Sequence, residues 1–482
     1  MALRKKLLTL ESMNQSVRGA KVPILGSLTI RAAEIQREIQ EGIHKPFTQL
    51  TPCFFGDMQA MGHKPFTFLR QVASLCTYPE LLESDQFPED TKTRAQAILK
   101  NLDDGSVGSY NPRYIAQILP PKIASFIQRR DNGVPSNPRN VIVSSGASQA
   151  VLSVLSLIVN GEEELKTGIL LPVPYYPLYM DTIALSGAVM VPYYMDEDCG
   201  WTINVNSIQK SLPAARKHCN LKVLCVINPG NPTGHVLTRD NITALIHLAA
   251  EENLLIFADE VYQANVFGPG AVFHSFKKVL YEMGPKYSEQ VQLVSINSIS
   301  KGISGECGFR AGYIEFVNID PAVFEVLYLL KSFNVPPVIG SLMLEVLLDP
   351  PQPGDPSYET FLREKQTLLN NLAEKARITE EILNQAPGIH CNPILGALYA
   401  FPRVSIPDRA IRLAQDRGLE PDDLYCHALL EDTGIVLCSG NGFGQAPGTY
   451  HFRITLLHPI DELKSILQKI THFHARFMAE YS

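Results

Sequence analysis

The 482-residue chain is long enough for a large domain with a sizeable core and a smaller second domain. Its hydrophobic content of 45%, charged content of 19% and net charge of -7 are typical of a globular protein, and no basic block indicates a nucleic-acid partner. No apolar run reaches the roughly 18 residues of a membrane-spanning helix, so no membrane partner is expected. Nine scattered cysteines without a Cys-x-x-Cys pair favour reduced thiols over a disulfide frame or a zinc site, and no metal ligands are expected.

The N-terminal residues lack the apolar length of a secretory signal, and Glu11 comes early for an organelle transit peptide. We therefore expect a cytosolic protein, with a mitochondrial isoform as the alternative. Further on, Ile35 and Ile39 share one face of a predicted helix, and the segment from Pro52 to Gly62 follows it. This N-terminal stretch is too short to fold alone. We expect it to pack on the smaller domain and on a neighbouring subunit.

Between about residues 100 and 320, short apolar runs alternate with helical stretches. The predicted strands are Val141–Val143, Ile169–Val173, Val223–Asn228, Leu255–Ala258, Val291–Ile296 and Tyr313–Val317. Helical patterns lie between most of them, including Ala150–Val159 and Arg239–Glu252. This alternation predicts an α/β fold with a mainly parallel sheet covered on both faces. Ligands of such sheets bind beyond the carboxyl ends of the strands.

The clearest boundary is the proline-rich segment Asp349–Pro356, which cannot continue a helix. After this segment, apolar residues recur at helical spacing and predict one long amphipathic helix. These residues are Leu362, Leu369, Leu372, Ala376 and Leu383. The segments that follow predict a smaller α+β domain.

Three regions follow from these patterns. Residues 1–95 are expected to form an N-terminal arm and part of the small domain. Residues 96–348 are expected to form the large, ligand-binding domain, and residues 349–482 the C-terminal small domain.

Lys301 follows a predicted strand, and Asn231, Asp259 and Tyr262 stand at the ends of neighbouring strands. Pyridoxal phosphate chemistry needs this set of groups. A desolvated lysine becomes a neutral amine that can attach the cofactor, and a buried carboxylate such as Asp259 keeps the pyridine nitrogen protonated. Tyr262 and Asn231 can reach the phenolic oxygen of the ring. Taken alone, the Asn231 segment is equally well explained as a turn.

The segment Ser144–Ser148 follows a strand and opens a helix, where free N–H groups and the helix dipole favour a dianion. As an isolated motif, a plain helix N-cap explains it equally well. Ser298, Ser300 and Arg310 could complete a phosphate site, Arg310 through a bidentate contact. The tyrosines of Pro174–Pro177 offer an aromatic face for a pyridine ring, with core packing as the alternative.

Arg453 lies in an apolar, strand-like run, where a charged residue needs a partner. A planar guanidinium suits the α-carboxylate of a substrate, and a salt bridge within the small domain is the alternative. Cys307, near Lys301, is predicted to be a small packing residue.

Four motifs in this order carry a resemblance to a known family: Asn228–Gly234, Ala258–Tyr262, Ser298–Gly302 and Gly308–Arg310. They resemble the fold-type I pyridoxal-phosphate-dependent aminotransferases of the aspartate aminotransferase superfamily, and within it the chain looks similar to the alanine aminotransferases. Longer similar segments are Leu8–Asn14, Gly56–Gly62, Cys225–Gly230, Phe273–Val279, Gly305–Gly308 and Gly448–Arg453. The resemblance implies the fold-type I architecture, pyridoxal 5'-phosphate as cofactor, and a homodimer with shared active sites.

The resemblance also implies roles for single residues. Lys301 would attach the cofactor and shuttle the proton, and Asp259 would meet the pyridine nitrogen. The implied cofactor-binding residues are Ala147, Ser148, Tyr176, Asn231, Asp259, Tyr262, Ser298, Ser300 and Arg310, together with Tyr110. The substrate carboxylate would meet Arg453, Asn231 and the backbone of Gly56.

Two loops depart from the pattern of this family. Tyr110 would reach the phosphate bound by the partner subunit, but the loop after it is Asn111–Tyr114 instead of a Ser-x-Ser-x-Gly type. Phe54–Phe55 stands where the family usually has an Asn-hydrophobic pair. Both loops border the substrate side, so they bear on substrate preference, and Arg113 becomes a candidate partner for a distal carboxylate.

The function that this resemblance implies is transfer of the amino group between L-alanine and 2-oxoglutarate, giving pyruvate and L-glutamate by a ping-pong mechanism. Two alternatives stay open at the level of sequence. One is another substrate or reaction on the same fold, such as an aromatic- or kynurenine-type transaminase or a lyase like aminocyclopropane-carboxylate synthase. The other is a binding protein that has lost catalysis.

Overall fold

The structure is a computed structural model and describes residues 7–14, 18, 26–332 and 335–482. Its α-helices are α1 (Ser27–Gln40), α2 (Thr67–Thr77), α3 (Glu89–Asn101), α4 (Leu119–Arg130), α5 (Ala147–Ile158), α6 (Pro177–Ser186), α7 (Val205–Ala215), α8 (Arg239–Glu252), α9 (Phe276–Glu282), α10 (Pro285–Ser288), α11 (Pro321–Ser332), α12 (Val338–Leu348), α13 (Tyr358–Asn384), α14 (Asp408–Asp416), α15 (Pro421–Thr433) and α16 (Ile460–Tyr481). Short 3-10 or π-helical turns lie at Pro79–Glu83, Asp103–Gly105, Tyr114–Ile118, Pro138–Asn140 and Gly440–Phe443.

The strands are β1 (Thr51–Pro52), β2 (Val141–Ser144), β3 (Thr167–Val173), β4 (Val189–Tyr194), β5 (Asn220–Ile227), β6 (Leu255–Asp259), β7 (Leu293–Ser298), β8 (Gly312–Val317), β9 (Ile389–His390), β10 (Tyr399–Ala400), β11 (Arg403–Val404), β12 (Ile435–Val436), β13 (Cys438–Ser439) and β14 (Phe452–Thr455). Seven of them form the central sheet in the order β2-β8-β7-β6-β5-β3-β4. Of these seven strands, only β8 runs in the opposite direction to the others, which confirms the predicted mainly parallel arrangement.

Strand β4 is absent from the strands predicted by sequence. It lies at the edge of the sheet, where Val191 and Tyr193 are buried and Tyr194 is exposed. Pro192 interrupts the strand pattern in the sequence, and an edge position tolerates a proline because one side of the strand needs no ladder hydrogen bonds. Strand β7 also begins two residues later than predicted, because Val291 is a buried loop residue that resembles a strand residue in sequence.

The two faces of the sheet contact different helices. Along β5, Val223, Cys225 and Ile227 face the apolar cluster that includes α5, whereas Leu224 and Val226 face the cluster that includes α8. This alternation follows from the two-residue period of a strand. Each such side chain contributes roughly 1.5–3 kcal/mol when it is fully buried. Burial on both faces therefore holds the strand ends, and the residues that follow them, in place.

The long helix predicted after the proline-rich segment is α13, and it packs along α16. Leu372 and Leu383 are buried as predicted. Leu362 is only half-buried, because its neighbour Phe361 takes the innermost position. In the same way, Leu368 is buried and its neighbour Leu369 is only half-buried. In the first part of α13 the buried stripe is thus shifted by about one residue from the prediction, whereas from Leu372 onward it agrees.

The C-terminal part of the chain contains small sheets. Strands β10, β14 and β13 form an antiparallel sheet in that order, and β9 pairs with β11. From the N-terminal stretch, β1 pairs in parallel with β12 and so joins this region. The three domain boundaries and the contact with a neighbouring subunit stay predictions. Within the described ranges, no helix has both the length and the hydropathy needed to cross a bilayer.

Candidate active site

The carboxyl ends of β2, β3, β5, β6 and β7 open into one cavity of about 170 Å³. Its lining consists of Ala147, Ser148, Val151, Tyr176, Leu178, Ile227, Asn231, Asp259, Val261, Tyr262, Ser298, Ser300, Lys301, Cys307, Arg310 and Tyr399. All the residues predicted to bind the cofactor, except Tyr110, line this cavity. Parallel strands end at the same edge of the sheet, and this explains how residues from five segments meet there.

Lys301 lies in the loop after β7, and its Nζ donates a hydrogen bond to the carbonyl oxygen of Gly56. A Cβ at position 56 would lie 2.7 Å from this Nζ and would also collide with the hydroxyl of Tyr399. Only a glycine therefore allows the backbone to approach so closely. The structure thus places the predicted substrate contact at Gly56 directly beside the predicted catalytic amine.

Asp259 is buried at the end of β6. Its Oδ2 accepts a hydrogen bond of 2.7 Å from the hydroxyl of Tyr179, and its Oδ1 accepts one of 3.2 Å from the backbone N–H of Val261. Burial raises the pKa of Asp259 to about 6, although the two hydrogen bonds act in the opposite direction. A buried carboxylate with neutral donors is best stabilised by a cationic ligand, and a protonated pyridine ring is one.

The opposite end of the cavity is suited to an anion. Gly146 precedes α5 with φ of +89°, so the free N–H groups of the first helical turn face the cavity from Ala147 onward. A Cβ on Gly146 would lie 2.7 Å from Nη2 of Arg310. The Nη1 of Arg310 donates to the Cys307 carbonyl at 2.9 Å and to Ser300 Oγ at 3.4 Å. Because these acceptors are neutral, the guanidinium can still bind a phosphate dianion.

Arg453 lies on β14 and is only 4% exposed. Its Nη1 donates to Asn231 Oδ1 at 3.1 Å, and its Nη2 donates to the Phe54 carbonyl at 2.8 Å and approaches Cys438 Sγ at 3.6 Å. Its Nε has no partner among the described residues. All these acceptors are uncharged, so the alternative of a salt bridge within the small domain is wrong. The arrangement leaves a buried cation ready for a carboxylate.

Two aromatic rings hold the guanidinium of Arg453. The Tyr399 ring centre lies 4.1 Å from its Cζ, and the Phe443 ring centre lies 4.6 Å from it. Contacts of this kind stabilise a cation by roughly 0.5–2 kcal/mol and fix the plane of the guanidinium.

Tyr399 belongs to the site although the sequence does not predict it there. It is buried on β10 with its ring edge-on to that of Tyr262. Burial favours a higher pKa for Tyr399, but the positive charges of Lys301 and Arg453 and a hydrogen bond with Tyr262 bring the pKa below its ordinary value. The sequence shows only an apolar, strand-like segment at this position, so no local signal identifies it.

Cys307 is not the packing residue that the sequence predicts. It is half-buried and lines the cavity, and its thiol donates a hydrogen bond to the carboxylate of Asp57. Its position between the Lys301 loop and Arg310 in the sequence is the signal that could have identified it.

Tyr110 and Arg113 lie outside the cavity, whereas Gly56 and Arg453 contact its lining residues Lys301 and Asn231 without lining it themselves. Tyr110 is 82% exposed, and its contact with a partner subunit stays a prediction. Arg113 pairs with Asp103 at 3.3 Å and donates to the Asn101 carbonyl at 3.0 Å. Its contact with a distal carboxylate also stays a prediction. Among the described residues, no group of three or more His, Cys, Asp or Glu side chains is placed to hold a metal ion.

A lysine, a buried carboxylate and an anion site at the strand ends of an α/β sheet are the features of an aminotransferase. Residues 75–470 match the family described as aminotransferase class I and II, and the chain belongs to this family. Its fold is that of the fold-type I pyridoxal-phosphate-dependent transferases. A solved structure titled alanine aminotransferase from Pyrococcus furiosus superposes with a TM-score of 0.72, covering 96% of this chain and 100% of that one at 20% identity.

Two curated relatives are similar over almost the whole chain. One is alanine aminotransferase 2 of Xenopus tropicalis, which is 52% identical over 99% of this chain and 91% of the relative. The other is alanine aminotransferase 1 of Homo sapiens, which is 50% identical over 100% of this chain and 97% of the relative.

Proposed function

We propose that this protein transfers the amino group between L-alanine and 2-oxoglutarate, producing pyruvate and L-glutamate. The observation that carries the proposal is one cavity lined by Lys301 and Asp259, with Arg453 hydrogen-bonded to Asn231 of the same lining. The substrate pair is supported by the identity of about one half to two alanine aminotransferases over nearly the full chain.

We propose pyridoxal 5'-phosphate as the cofactor, because the cavity matches it at three points. The amides at the start of α5 and the Arg310 guanidinium suit the phosphate, and Asp259 suits the ring nitrogen. Lys301 suits the aldehyde carbon. When bound, the cofactor supplies a carrier for the amino group and an electron-withdrawing ring.

The residues of this chain would then share the work of the reaction. Asp259 would hold the proton at the ring nitrogen. Lys301 Nζ would hold the cofactor and would act as the base that takes the proton from the substrate Cα. Tyr262 and Asn231 lie in the same cavity and are expected to donate to the phenolic oxygen.

Both substrates carry an α-carboxylate, which Arg453 and the Gly56 backbone would hold in turn. One site that serves two substrates one after the other gives a ping-pong mechanism. We also propose a homodimer, in which the exposed Tyr110 reaches the phosphate site of the partner subunit. Its 82% exposure leaves the Tyr110 side chain accessible for such a contact.

The test is a panel of amino donors, including L-alanine, L-aspartate, aromatic amino acids and kynurenine, assayed with 2-oxoglutarate and glyoxylate on the protein saturated with pyridoxal phosphate. We expect the highest kcat/KM for L-alanine with 2-oxoglutarate. A higher value for an aromatic donor would overturn the proposed substrate. Turnover of none of the donors would favour the binding-protein alternative.

Lys301→Ala should abolish turnover while leaving the fold intact, because no other residue of the cavity supplies an amine. Borohydride reduction followed by peptide mapping checks this. We expect the cofactor on the Lys301 peptide of the wild type and on no peptide of the variant. The same labelled peptide in both proteins would place the attachment elsewhere.

A further inference from the structure

Behind the cavity lies a buried tyrosine that the proposed function does not use. Tyr179 is the third residue of α6, the helix that starts directly after the cavity-lining Tyr176. Its side chain is 1% exposed and does not line the cavity. Its hydroxyl donates the 2.7 Å hydrogen bond to Asp259 Oδ2. One short helical turn therefore places one tyrosine on the cavity and another behind its carboxylate.

The surroundings make this contact rigid. The ring of Tyr179 packs edge-on against Phe257, with ring centres 6.0 Å apart and an angle of 71° between the planes. Phe257 lies on β6, the strand that carries Asp259, so both partners of the hydrogen bond are held by the same strand and its neighbouring helix. Because the packed Tyr179 ring is fixed, rotation of the Asp259 carboxylate would break this hydrogen bond. The bond therefore selects one orientation of the carboxylate.

The two oxygens of Asp259 have unequal partners. Oδ1 accepts from the Val261 N–H at 3.2 Å, whereas Oδ2 accepts from Tyr179 at 2.7 Å. Hydrogen bonds from a hydroxyl to a carboxylate are shorter and stronger than neutral ones, and they favour the ionised form. Tyr179 is thus the stronger of the two donors that oppose protonation of this buried group.

Other titratable groups around the pair do not take this role. Burial raises the pKa values of the Cys225 thiol on β5 and of Tyr176, so both are neutral near pH 7. On the far side of β6, Glu260 faces Ser295 at 2.6 Å and Arg130 at 3.8 Å. The Arg310 guanidinium lies at the proposed phosphate end of the cavity and donates its hydrogen bonds to Ser300 Oγ and the Cys307 carbonyl.

We propose that Tyr179 is a positioning residue of this enzyme: its hydroxyl fixes the Asp259 carboxylate so that the carboxylate faces the ring nitrogen of the cofactor. This inference rests on the proposed function only in needing pyridoxal phosphate, and it does not depend on which amino acid is the substrate. Tyr179 acts through Asp259 and touches neither substrate nor cofactor.

The chain offers a matched control for removing this hydroxyl. Tyr193 on β4 is also buried, at 3% exposure, and its hydroxyl donates to the Cys225 carbonyl at 2.8 Å. Tyr193→Phe deletes a buried tyrosine hydroxyl and its hydrogen bond without touching Asp259. Both variants should lose some stability, and only Tyr179→Phe should change cofactor binding and the pH profile.

The experiment compares both variants with the wild type, each saturated with pyridoxal phosphate. For Tyr179→Phe we expect kcat to fall by roughly ten- to a hundredfold, the range of one charge-assisted hydrogen bond, with KM for L-alanine changed less than about twofold. The Kd for pyridoxal phosphate should rise, and the acid limb of the kcat–pH profile should move to higher pH. Tyr193→Phe should leave all of these within about twofold of wild type.

A double-mutant cycle makes the test specific. In the Asp259→Asn background, the change Tyr179→Phe should alter the Kd for pyridoxal phosphate less than about twofold, because the two residues act through one contact. Equal losses of kcat and of cofactor affinity in Tyr179→Phe and Tyr193→Phe, an unmoved acid limb, or additive effects in the cycle would overturn the proposal. The Kd is read from the absorbance of the bound cofactor, so a wild type that binds it but rejects L-alanine would refute the proposed substrate and leave this inference standing.

Discussion

Single residues of the site carry charges that the fold leaves without a charged partner. Arg453 is buried among neutral acceptors, and Asp259 is a buried carboxylate bonded to neutral donors. An isolated charge in a protein interior costs free energy unless a ligand supplies the opposite charge. In the proposed reaction the substrate carboxylate and the protonated ring nitrogen would supply those opposite charges, so each residue predicts a measurable effect of its replacement.

Arg453→Lys keeps the charge but loses the two-pronged geometry and the stacking between Tyr399 and Phe443. Binding of L-alanine and of L-glutamate should weaken in parallel, by roughly 1–3 kcal/mol each. The measurement is KM for both amino acids, with Arg377→Lys as the control, because Arg377 is a surface residue paired with Glu374. An effect confined to one amino acid would place Arg453 near the substrate side chain instead.

Asp259 predicts a pH dependence of stability in the cofactor-free protein. Burial raises its pKa to about 6, above the ordinary value of about 3.9. Between these values the folded protein keeps a proton that the unfolded chain has released, so stability falls as pH rises from about 4 to about 6. Asp259→Asn removes this loss. The free energy of unfolding of the variant minus that of the wild type should rise by roughly 2–3 kcal/mol over this interval.

Urea unfolding at several pH values measures this difference. Asp422→Asn is a positive control outside the cavity, because burial raises the pKa of Asp422 to about 6 as well. Added pyridoxal phosphate should reverse the sign of this stability difference for Asp259→Asn but not for Asp422→Asn, since the ring nitrogen supplies the missing positive charge. A difference that does not change with pH would show that Asp259 is ionised at a lower pH than its burial predicts.

At the level of secondary structure, the start of α5 forms the end of the cavity where the phosphate is proposed to bind. Gly146 is needed there for two reasons, its φ of +89° and the Arg310 guanidinium that occupies the space of a Cβ. A residue with a side chain would meet both a backbone penalty and a clash. The two effects can be separated, because other glycines of the chain have a positive φ and open space around them.

Gly146→Ala should therefore cost stability and cofactor affinity, whereas Gly187→Ala should cost stability alone. Gly187 ends α6 with φ of +79°, and a methyl group added there would have no other side chain within 4 Å. Gly187→Ala should lower the free energy of unfolding by roughly 1–2 kcal/mol, and Gly146→Ala should lower it by more because of the added clash. Only Gly146→Ala should raise the Kd for pyridoxal phosphate, by about tenfold or more. Equal Kd values in the two variants would argue against a phosphate at this helix.

In the whole molecule, the position of Tyr110 predicts shared active sites. If Tyr110 serves the partner's site, mixing inactive Tyr110→Ala with inactive Lys301→Ala subunits should restore activity. Each mixed dimer then has one site with both defects and one with neither, so an equal mixture should recover activity in about a quarter of all sites. The assay is turnover after subunit exchange, with exchange proven by mass spectrometry.

The same mixture without recovered activity would place Tyr110 in its own subunit's site or outside catalysis. Two unmixed preparations, each taken through the same exchange procedure, are the controls. Their activity should stay at the level of each variant.

Much of the site could be read from the order of motifs along the chain. Lys301 and Asn231 follow strands of a parallel sheet and Asp259 ends one, and such strands end at one edge. Local signals are enough for this, because the period of a strand and the residues after it are encoded within a few positions. The prediction of the helix α8 at Arg239–Glu252 agrees with the structure for the same reason.

Other parts of the site depend on contacts between distant segments. Tyr399, Phe443 and the Phe54 carbonyl reach Arg453 from segments that only tertiary packing brings together. Tyr179 resembles any core tyrosine in sequence, and its bond to Asp259 appears only when α6 packs on the sheet. Sequence spacing encodes periodicity within an element, whereas the meeting of two elements depends on the shapes of the surfaces they bury against each other.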